Sequence, residues 1–228
     1  MKYLLHCLIF LTTIFSATAQ SLSHWTYMKL DSTRDKWGDY AEPNWLRYFG
    51  LAMGDLTNDN YPDILAGRHV YVNPGEDLSG NWKKQDVGMN VDGIFIVDVD
   101  GDQYGDVIGM ALPAVYWLEA EDEAGTAWRA TKVAEVPATS HVNSQGFTIA
   151  QLDGQGKPEL LIAGAGDIYA LTISSNPLEG NWPRTLVGKN TSDEGIGTGD
   201  LDGKGIILAL NRRTEGDVAG RNHQALER

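Results

Sequence analysis

Four segments of this 228-residue chain open in the same way, and the interval between them restricts the fold more than any other feature. Each segment begins with glycine and reaches a polar residue five positions later. These polar residues recur after 43, 53 and 49 residues. A period of this length is typical of repeats in which each unit is one four-stranded propeller blade. The four openings are GLAMGD (50–55), GIFIVD (93–98), GFTIAQ (146–151) and GIGTGD (195–200).

Three further signals follow each of the first three openings in the same order. An apolar run begins at an acidic residue, a β-branched residue then precedes tyrosine, and a tryptophan is followed five positions later by valine. Short apolar runs bounded by turn residues predict a second, third and fourth strand in each repeat. Because the aromatic residues recur once per repeat, we interpret them as packing residues rather than sugar-binding ones. The aromatic residues are Tyr71, Trp82, Tyr116, Trp128, Tyr169 and Trp182.

These signals predict an all-β chain, a β-propeller of four-stranded blades with about three complete blades and a partial fourth. Segment 25–30 matches a lone fourth strand, so residues 20–49 are predicted to hold an N-terminal outer strand and an insertion. Residues 50–228 then hold the repeats. After Gly195 the chain offers two strands at most, and residues 213–228 lack the tyrosine and tryptophan signals. Uncovered strand edges and apolar faces drive association, so we expect homo-oligomers.

The N-terminal end predicts export. Residues 1–19 combine an early lysine, a short apolar run and an Ala-Thr-Ala ending, the pattern of a signal peptide. The single cysteine, Cys7, lies inside this segment, so the mature chain would hold no disulfide. The predicted location is secreted, periplasmic or cell-surface, with no membrane span after cleavage. A formal net charge of −13 makes nucleic acid an improbable partner.

Two loops between predicted first and second strands place oxygen side chains at positions one, three, five and nine, with a main-chain carbonyl available at seven. Alternating oxygen ligands in a tight loop suit Ca²⁺. An EF-hand would need a glutamate at position twelve, where the chain has Ala66 and Gly109. The alternative is a polar turn without metal. The predicted metal residues are Asp55, Thr57, Asp59, Tyr61 and Asp63 in the first loop, and Asp98, Asp100, Asp102, Tyr104 and Asp106 in the second.

The third and fourth loops keep parts of this spacing. The third has Gln151, Gln155 and Lys157 at positions one, five and seven, which predicts weak metal binding or none. In the fourth, Lys204 follows two aspartates and Leu208 stands at the ninth position. A lysine ammonium inside the loop would replace or repel a cation.

Together, the openings, the D-x-D-x-D-G-x-x-D loops and the strands that follow them resemble the FG-GAP or VCBS repeats of integrin α-subunit propellers and of many secreted bacterial proteins. The resemblance covers about residues 50–212. It implies a β-propeller with calcium in the loops between first and second strands and ligands on the opposite face. It supports the first two loops as calcium sites and does not extend to the fourth. Such scaffolds serve adhesion, glycan binding and polysaccharide cleavage, so the resemblance leaves the function open.

The segments that join each fourth strand to the next first strand should lie on the face away from calcium. Two of them are long and hold non-repeating aromatic and polar residues: Trp45, Arg47, Tyr48, His141 and Asn143. Aromatic rings stack on sugars and the polar groups can meet carboxylates or sulfates, which predicts a polysaccharide or a cell-surface glycan or protein as partner. The alternatives are that these residues only pack the blade ends, that they form a polysaccharide lyase site, or that the chain is a truncated copy.

Overall fold

The computed structural model describes residues 26–31, 49–102, 104–139, 143–152, 154–191, 194–199 and 208–211. The chain divides into two compact units, Met1–Ser32 and Thr33–Arg228. In the first unit the described residues 26–31 form no strand, and the Tyr27 side chain is 86% exposed. The outer strand predicted at 25–30 is therefore not formed over its described part, because a strand needs a hydrogen-bonded neighbour as well as a matching sequence. The predicted signal peptide lies outside the described residues.

The second unit is all-β and contains three antiparallel sheets of four strands, each in chain order. Sheet 1 comprises β1 (Leu51–Gly54), β2 (Asp63–Ala66), β3 (His69–Val72) and β4 (Lys83–Asp86). Sheet 2 comprises β5 (Asp92–Val97), β6 (Asp106–Ala111), β7 (Ala114–Ala120) and β8 (Trp128–Glu135). Sheet 3 comprises β9 (Phe147–Ala150), β10 (Glu159–Gly164), β11 (Asp167–Leu171) and β12 (Arg184–Gly188), with a 3-10 helix at Pro177–Glu179. A two-stranded sheet of β13 (Ile196–Gly199) and β14 (Leu208–Asn211) follows.

Next to the loop that joins them, the first two strands pair in the same register in every repeat. The last residue of each first strand pairs with the residue nine positions later, as in Gly54 with Asp63 and Val97 with Asp106. The third repeat pairs Ala150 with Glu159 in the same way. In the fourth, Gly199 pairs with Leu208, so the leucine does occupy the position held by a carboxylate in the other repeats. Each pairing encloses eight residues. These eight and the paired residue of the second strand are the nine positions of the predicted metal loop.

Successive sheets share apolar cores. The core between sheets 1 and 2 includes Leu65, Val70, Val91, Val107 and Leu118, all buried. Sheets 2 and 3 share the largest core, and a third core joins sheet 3 to Ile196 of β13. The largest core includes Ile94, Ile108, Met110, Trp117, Leu160, Ile162 and Trp182. The sheets are therefore held together one after another along the chain by burial of apolar surface.

The recurring tryptophans close the loop between third and fourth strands. Each indole N–H donates to a main-chain carbonyl a few residues earlier: Trp82 to Leu78, Trp128 to Gly125 and Trp182 to Pro177, at 3.0, 2.9 and 3.4 Å. Trp182 is buried in the largest core, whereas Trp82 and Trp128 are partly buried. These contacts agree with the packing role that their recurrence predicts.

The glycines that open the first two repeats lie where two backbones meet. The Gly93 N–H donates to the Gly67 carbonyl at 2.9 Å, and the Gly67 N–H donates to the Gly50 carbonyl at 3.2 Å. A Cβ added to Gly93 would lie 2.6 Å from the Gly67 oxygen, and one added to Gly50 would lie 1.9 Å from the Gly93 oxygen. Glycine is required here because any side chain would separate sheets 1 and 2.

Replacing Leu160 with alanine should lower the free energy of unfolding by about 2–5 kcal/mol, because the side chain is fully buried between sheets 2 and 3 and would leave a cavity. Leu178→Ala is the matched control, since that side chain is 55% exposed and its loss should change stability by less than about 0.5 kcal/mol. Urea unfolding at constant calcium measures both. Equal effects of the two variants would contradict the shared core.

Candidate metal centre

The ninth residue of each described loop is a buried carboxylate that holds the loop together. Asp63 is 0%, Asp106 is 1% and Glu159 is 5% exposed. Each accepts a hydrogen bond from the backbone N–H of the second residue of its own loop. The donors are Leu56, Val99 and Leu152, at 2.9, 3.0 and 2.8 Å. The loop therefore folds around its ninth side chain, which makes that carboxylate structural whether or not a metal binds.

In the first two repeats this carboxylate also ties the loop to the end of the third strand. The second oxygen of Asp63 accepts from the Asn73 N–H at 2.8 Å, and that of Asp106 accepts from the Ala120 N–H at 3.2 Å. The loop between first and second strands and the end of the third strand lie at the same edge of an antiparallel sheet. Both metal loops are thereby placed at one edge of their sheets.

The second loop brings three carboxylates together. One oxygen each of Asp98, Asp100 and Asp106 lies within 4.8 Å of the others, and the first two residues are exposed while the third is buried. Oxygens bound to one calcium ion at 2.3–2.6 Å are at most about 5 Å apart, so the spacing suits a hard divalent cation. These residues can hold a metal ion; their geometry does not identify it. Asp102, predicted at position five, is not part of this group.

Short turns shape the exposed part of the second loop. Asp98 accepts from the Gly101 N–H at 2.6 Å, Asp100 from the Asp102 N–H at 3.1 Å, and Asp102 from the Tyr104 N–H at 2.6 Å. Gly101 has a φ of +86°, the left-handed conformation that glycine tolerates. Each of these bonds uses one of the several lone-pair directions of a carboxylate, so the same side chains can still ligate a cation.

Burial raises the pKa of Asp106 to about 7. The nearby negative charge of Asp100 adds to this rise, whereas the hydrogen bonds from Val99 and Ala120 oppose it. Burial likewise raises the pKa of Asp63 in the first loop, where the charge of Asp59 contributes. A bound cation would favour the ionised carboxylates in both loops, so metal binding and proton release should be linked.

The first loop has a different internal pattern. Asp55 accepts from the Asp59 and Asn60 N–H groups at 3.1 and 2.8 Å, and Asp59 accepts from Tyr61 at 2.9 Å. The Thr57 hydroxyl at position three is buried, with 9% of the residue exposed, and makes no hydrogen bond within the described chain. A buried hydroxyl without a partner costs free energy, and a cation is one partner that would remove this cost. Among the described residues, however, only the acids of the second loop converge on one point, so a metal in the first loop stays a prediction.

The third loop is closed by an amide. The Gln151 side-chain NH₂ donates to the carbonyls of Gln155 and Gly156 at 3.3 and 3.2 Å, and its oxygen accepts from the Gly154 N–H at 3.0 Å. An amide that donates to loop carbonyls satisfies oxygen acceptors that a cation could otherwise bind. Weak metal binding or none stays the prediction for this loop. Residues 200–207 of the fourth loop lie outside the described part of the chain.

A cleft of about 210 Å³ separates the first two loops. Side chains from both loops line it, including Asp55, Asn58, Asp98 and Asp102. Next to this cleft, the Gly105 N–H donates to the Leu56 carbonyl at 3.0 Å, which joins the two loops through their backbones. The two predicted metal loops are thus direct neighbours.

The structure places Asn143 in the interior. It is 0% exposed, and its side-chain oxygen accepts from the Leu112 N–H at 3.1 Å. Its carbonyl accepts from the Thr139 hydroxyl at 2.6 Å. This side chain fastens the connection between β8 and β9 to the β6–β7 hairpin and does not face a ligand surface. The other predicted ligand residues, Trp45, Arg47, Tyr48 and His141, lie outside the described residues.

Asp92 is a buried acidic residue that the repeat pattern did not reveal. Its two oxygens accept from the Phe49 and Gly50 N–H groups at 2.7 and 2.9 Å, across sheets 1 and 2. It precedes the opening Gly93. Phe49 and Gln145 stand at that position in the first and third repeats and Glu194 in the fourth, so an acid is found there in two of the four repeats, which is a weak signal.

No known family model matches the chain, and no curated protein is significantly similar to it. Within the described residues, no helix is long and apolar enough to cross a membrane.

The pKa of Asp106 predicts a pH effect in the presence of a chelator. Between pH 4 and 7 the folded protein retains a proton on Asp106 that the unfolded chain has lost, so its contribution to stability should decrease as pH rises to about 7. Asp106→Asn should be less stable, because an amide cannot accept both backbone N–H groups, but its stability should depend less on pH over this range. Urea unfolding at several pH values tests this. Parallel curves for the two proteins would contradict the raised pKa.

Proposed function

We propose that this chain is a secreted calcium-binding β-propeller module of the FG-GAP or VCBS type, located in the periplasm, at the cell surface or outside the cell. The convergence of Asp98, Asp100 and Asp106 is the observation that carries this proposal. All of these ligands are hard oxygens from one short loop between two strands. Such a donor set favours calcium over zinc or copper, which prefer nitrogen and sulfur ligands.

The arrangement of strands supports a blade-like organisation. Three sheets of equal strand number follow one another, and β5 contacts both β1 and β2 of the preceding sheet. The first strand of the fourth repeat, β13, contacts the first strand of the third, β9. Neighbouring first strands are what a propeller requires around its axis. The described part of the fourth repeat contributes the two paired strands β13 and β14.

We further propose that the module binds a polysaccharide or a cell-surface glycan or protein through the edge opposite the metal loops. In an antiparallel sheet of four strands, the connection from the fourth strand to the next first strand leaves from that opposite edge. His141 belongs to such a connection between β8 and β9, and Trp45, Arg47 and Tyr48 belong to the segment that leads into β1. A rigid metal-stabilised scaffold that presents long connections is a common basis for recognition. Self-association is supported by the exposed Leu51 and Met53 of β1.

Calcium should stabilise the folded chain. Two sites that each bind at about 0.1 mM would raise the free energy of unfolding by roughly 1–3 kcal/mol at millimolar calcium. Asp100→Asn should remove a large part of this increase, because it takes a charge from the converging group. Glu123→Gln is the control, since that exposed acid lies outside the loops. Thermal melting with calcium and with chelator measures the effect. Equal melting temperatures under the two conditions would contradict the metal assignment.

Acidic polysaccharides should bind saturably to the calcium-loaded chain, and Trp45→Ala or His141→Ala should weaken binding several-fold. Asn143→Ala serves as a comparison, because it should reduce stability without removing a ligand contact. Calorimetry reports affinity, and ultraviolet absorbance reports any unsaturated sugar formed. Steady growth of that absorbance, lost in His141→Ala, would replace the binding module with a polysaccharide lyase. Absence of binding to all glycans would leave protein adhesion as the proposed role.

A further inference from the structure

Lys157 belongs to the third loop but contacts the second. Its ammonium donates to the main-chain carbonyl of Asp98 at 2.6 Å and lies 3.5 Å from the Asp98 carboxylate. Asp98 is one of the three carboxylates that converge in the second loop. A positive charge from one repeat is thus placed on a candidate metal ligand of the preceding repeat.

Among the described residues of the third loop, Gln151 rather than this lysine makes the bonds that close the loop. Gln151 already bonds to the carbonyls of residues 155 and 156. At the same seventh position, the first two loops carry Tyr61 and Tyr104. Lysine therefore adds a charge at a position where the other described repeats have a neutral side chain, and the Nζ atom of that lysine reaches the neighbouring loop.

We propose that Lys157 is a tethered competitor of the second-loop cation, which lowers the affinity of that loop for calcium and links it to the third repeat. This inference rests on the proposed calcium function. The ammonium and a divalent ion draw on the same Asp98 group, and their like charges repel each other at close range. Without metal, the lysine offsets part of the repulsion among the carboxylates. When metal binds, the lysine contact weakens and the third loop loses a tie to the second.

The expected size of the effect follows from Coulomb's law in a highly solvated site. A single and a double charge about 6 Å apart in water repel each other enough to change a binding constant about tenfold, and salt reduces this. Both side chains are partly exposed. Removing the charge should therefore strengthen calcium binding about three- to tenfold at low ionic strength, and the gain should shrink as sodium chloride is added.

Calorimetric titration of the full chain with calcium chloride tests the proposal. Lys157→Met should bind calcium three- to tenfold more tightly than the unsubstituted protein and should melt at a lower temperature in chelator. Lys157→Gln keeps a donor without the charge and should also bind more tightly. Lys189→Met, which removes an exposed lysine from the connection after β12, should leave the calcium affinity of the second loop unchanged.

The outcomes separate the two proposals. If the unsubstituted protein and Lys157→Met bind calcium with equal affinity, the competitor role is overturned and the proposed function stays intact. If Lys157→Met binds calcium and the unsubstituted protein does not, the competitor role of Lys157 is supported and calcium binding by the unsubstituted chain is overturned. A lack of binding by every variant would overturn both. An equal gain in Lys189→Met would show a general charge effect and would also overturn the specific role of Lys157.

Discussion

The structure depends on burying one carboxylate at the start of the second strand in each of the first three repeats. A charged group taken out of water must gain hydrogen bonds or a cation, or else it becomes protonated. Asp63 and Asp106 meet this requirement with N–H groups from their own loop and from the end of the third strand. The same bonds give each loop its shape, and in the second loop Asp98 and Asp100 converge with this anchor to form the candidate metal centre.

The repeats solve this electrostatic problem with different chemistry. The second loop gathers carboxylates that need positive charge, and the third replaces the first of them with Gln151, which bonds to the loop carbonyls directly. The first loop is intermediate, since Asp55 binds two backbone N–H groups while the Thr57 hydroxyl stays unpaired. Similar backbones can thus either gather carboxylates that could hold a metal ion or close the loop with an amide, through a few substitutions at alternate loop positions.

Much of the fold could be predicted from the sequence because the repeat compares four versions of one unit. The starts of β2, β6 and β10, the alignment of Leu208 with their first residues, and the convergence of Asp98, Asp100 and Asp106 follow from their positions within the repeat. Features outside the repeat could not be predicted in this way. The burial of Asn143 depends on which hairpin its connection meets, and the contact of Lys157 depends on how neighbouring repeats are placed.

The close backbone contacts at Gly50, Gly67 and Gly93 have an evolutionary consequence. Where glycine backbones set the separation between two sheets, the side chains on the facing surfaces need to fill a given volume, and the residue type that fills it matters less. Cores tolerate apolar exchange when volume is kept, so such faces can diverge widely while the architecture persists. A lineage built in this way would retain its glycines and loop acids long after its other residues had lost detectable similarity to those of its relatives.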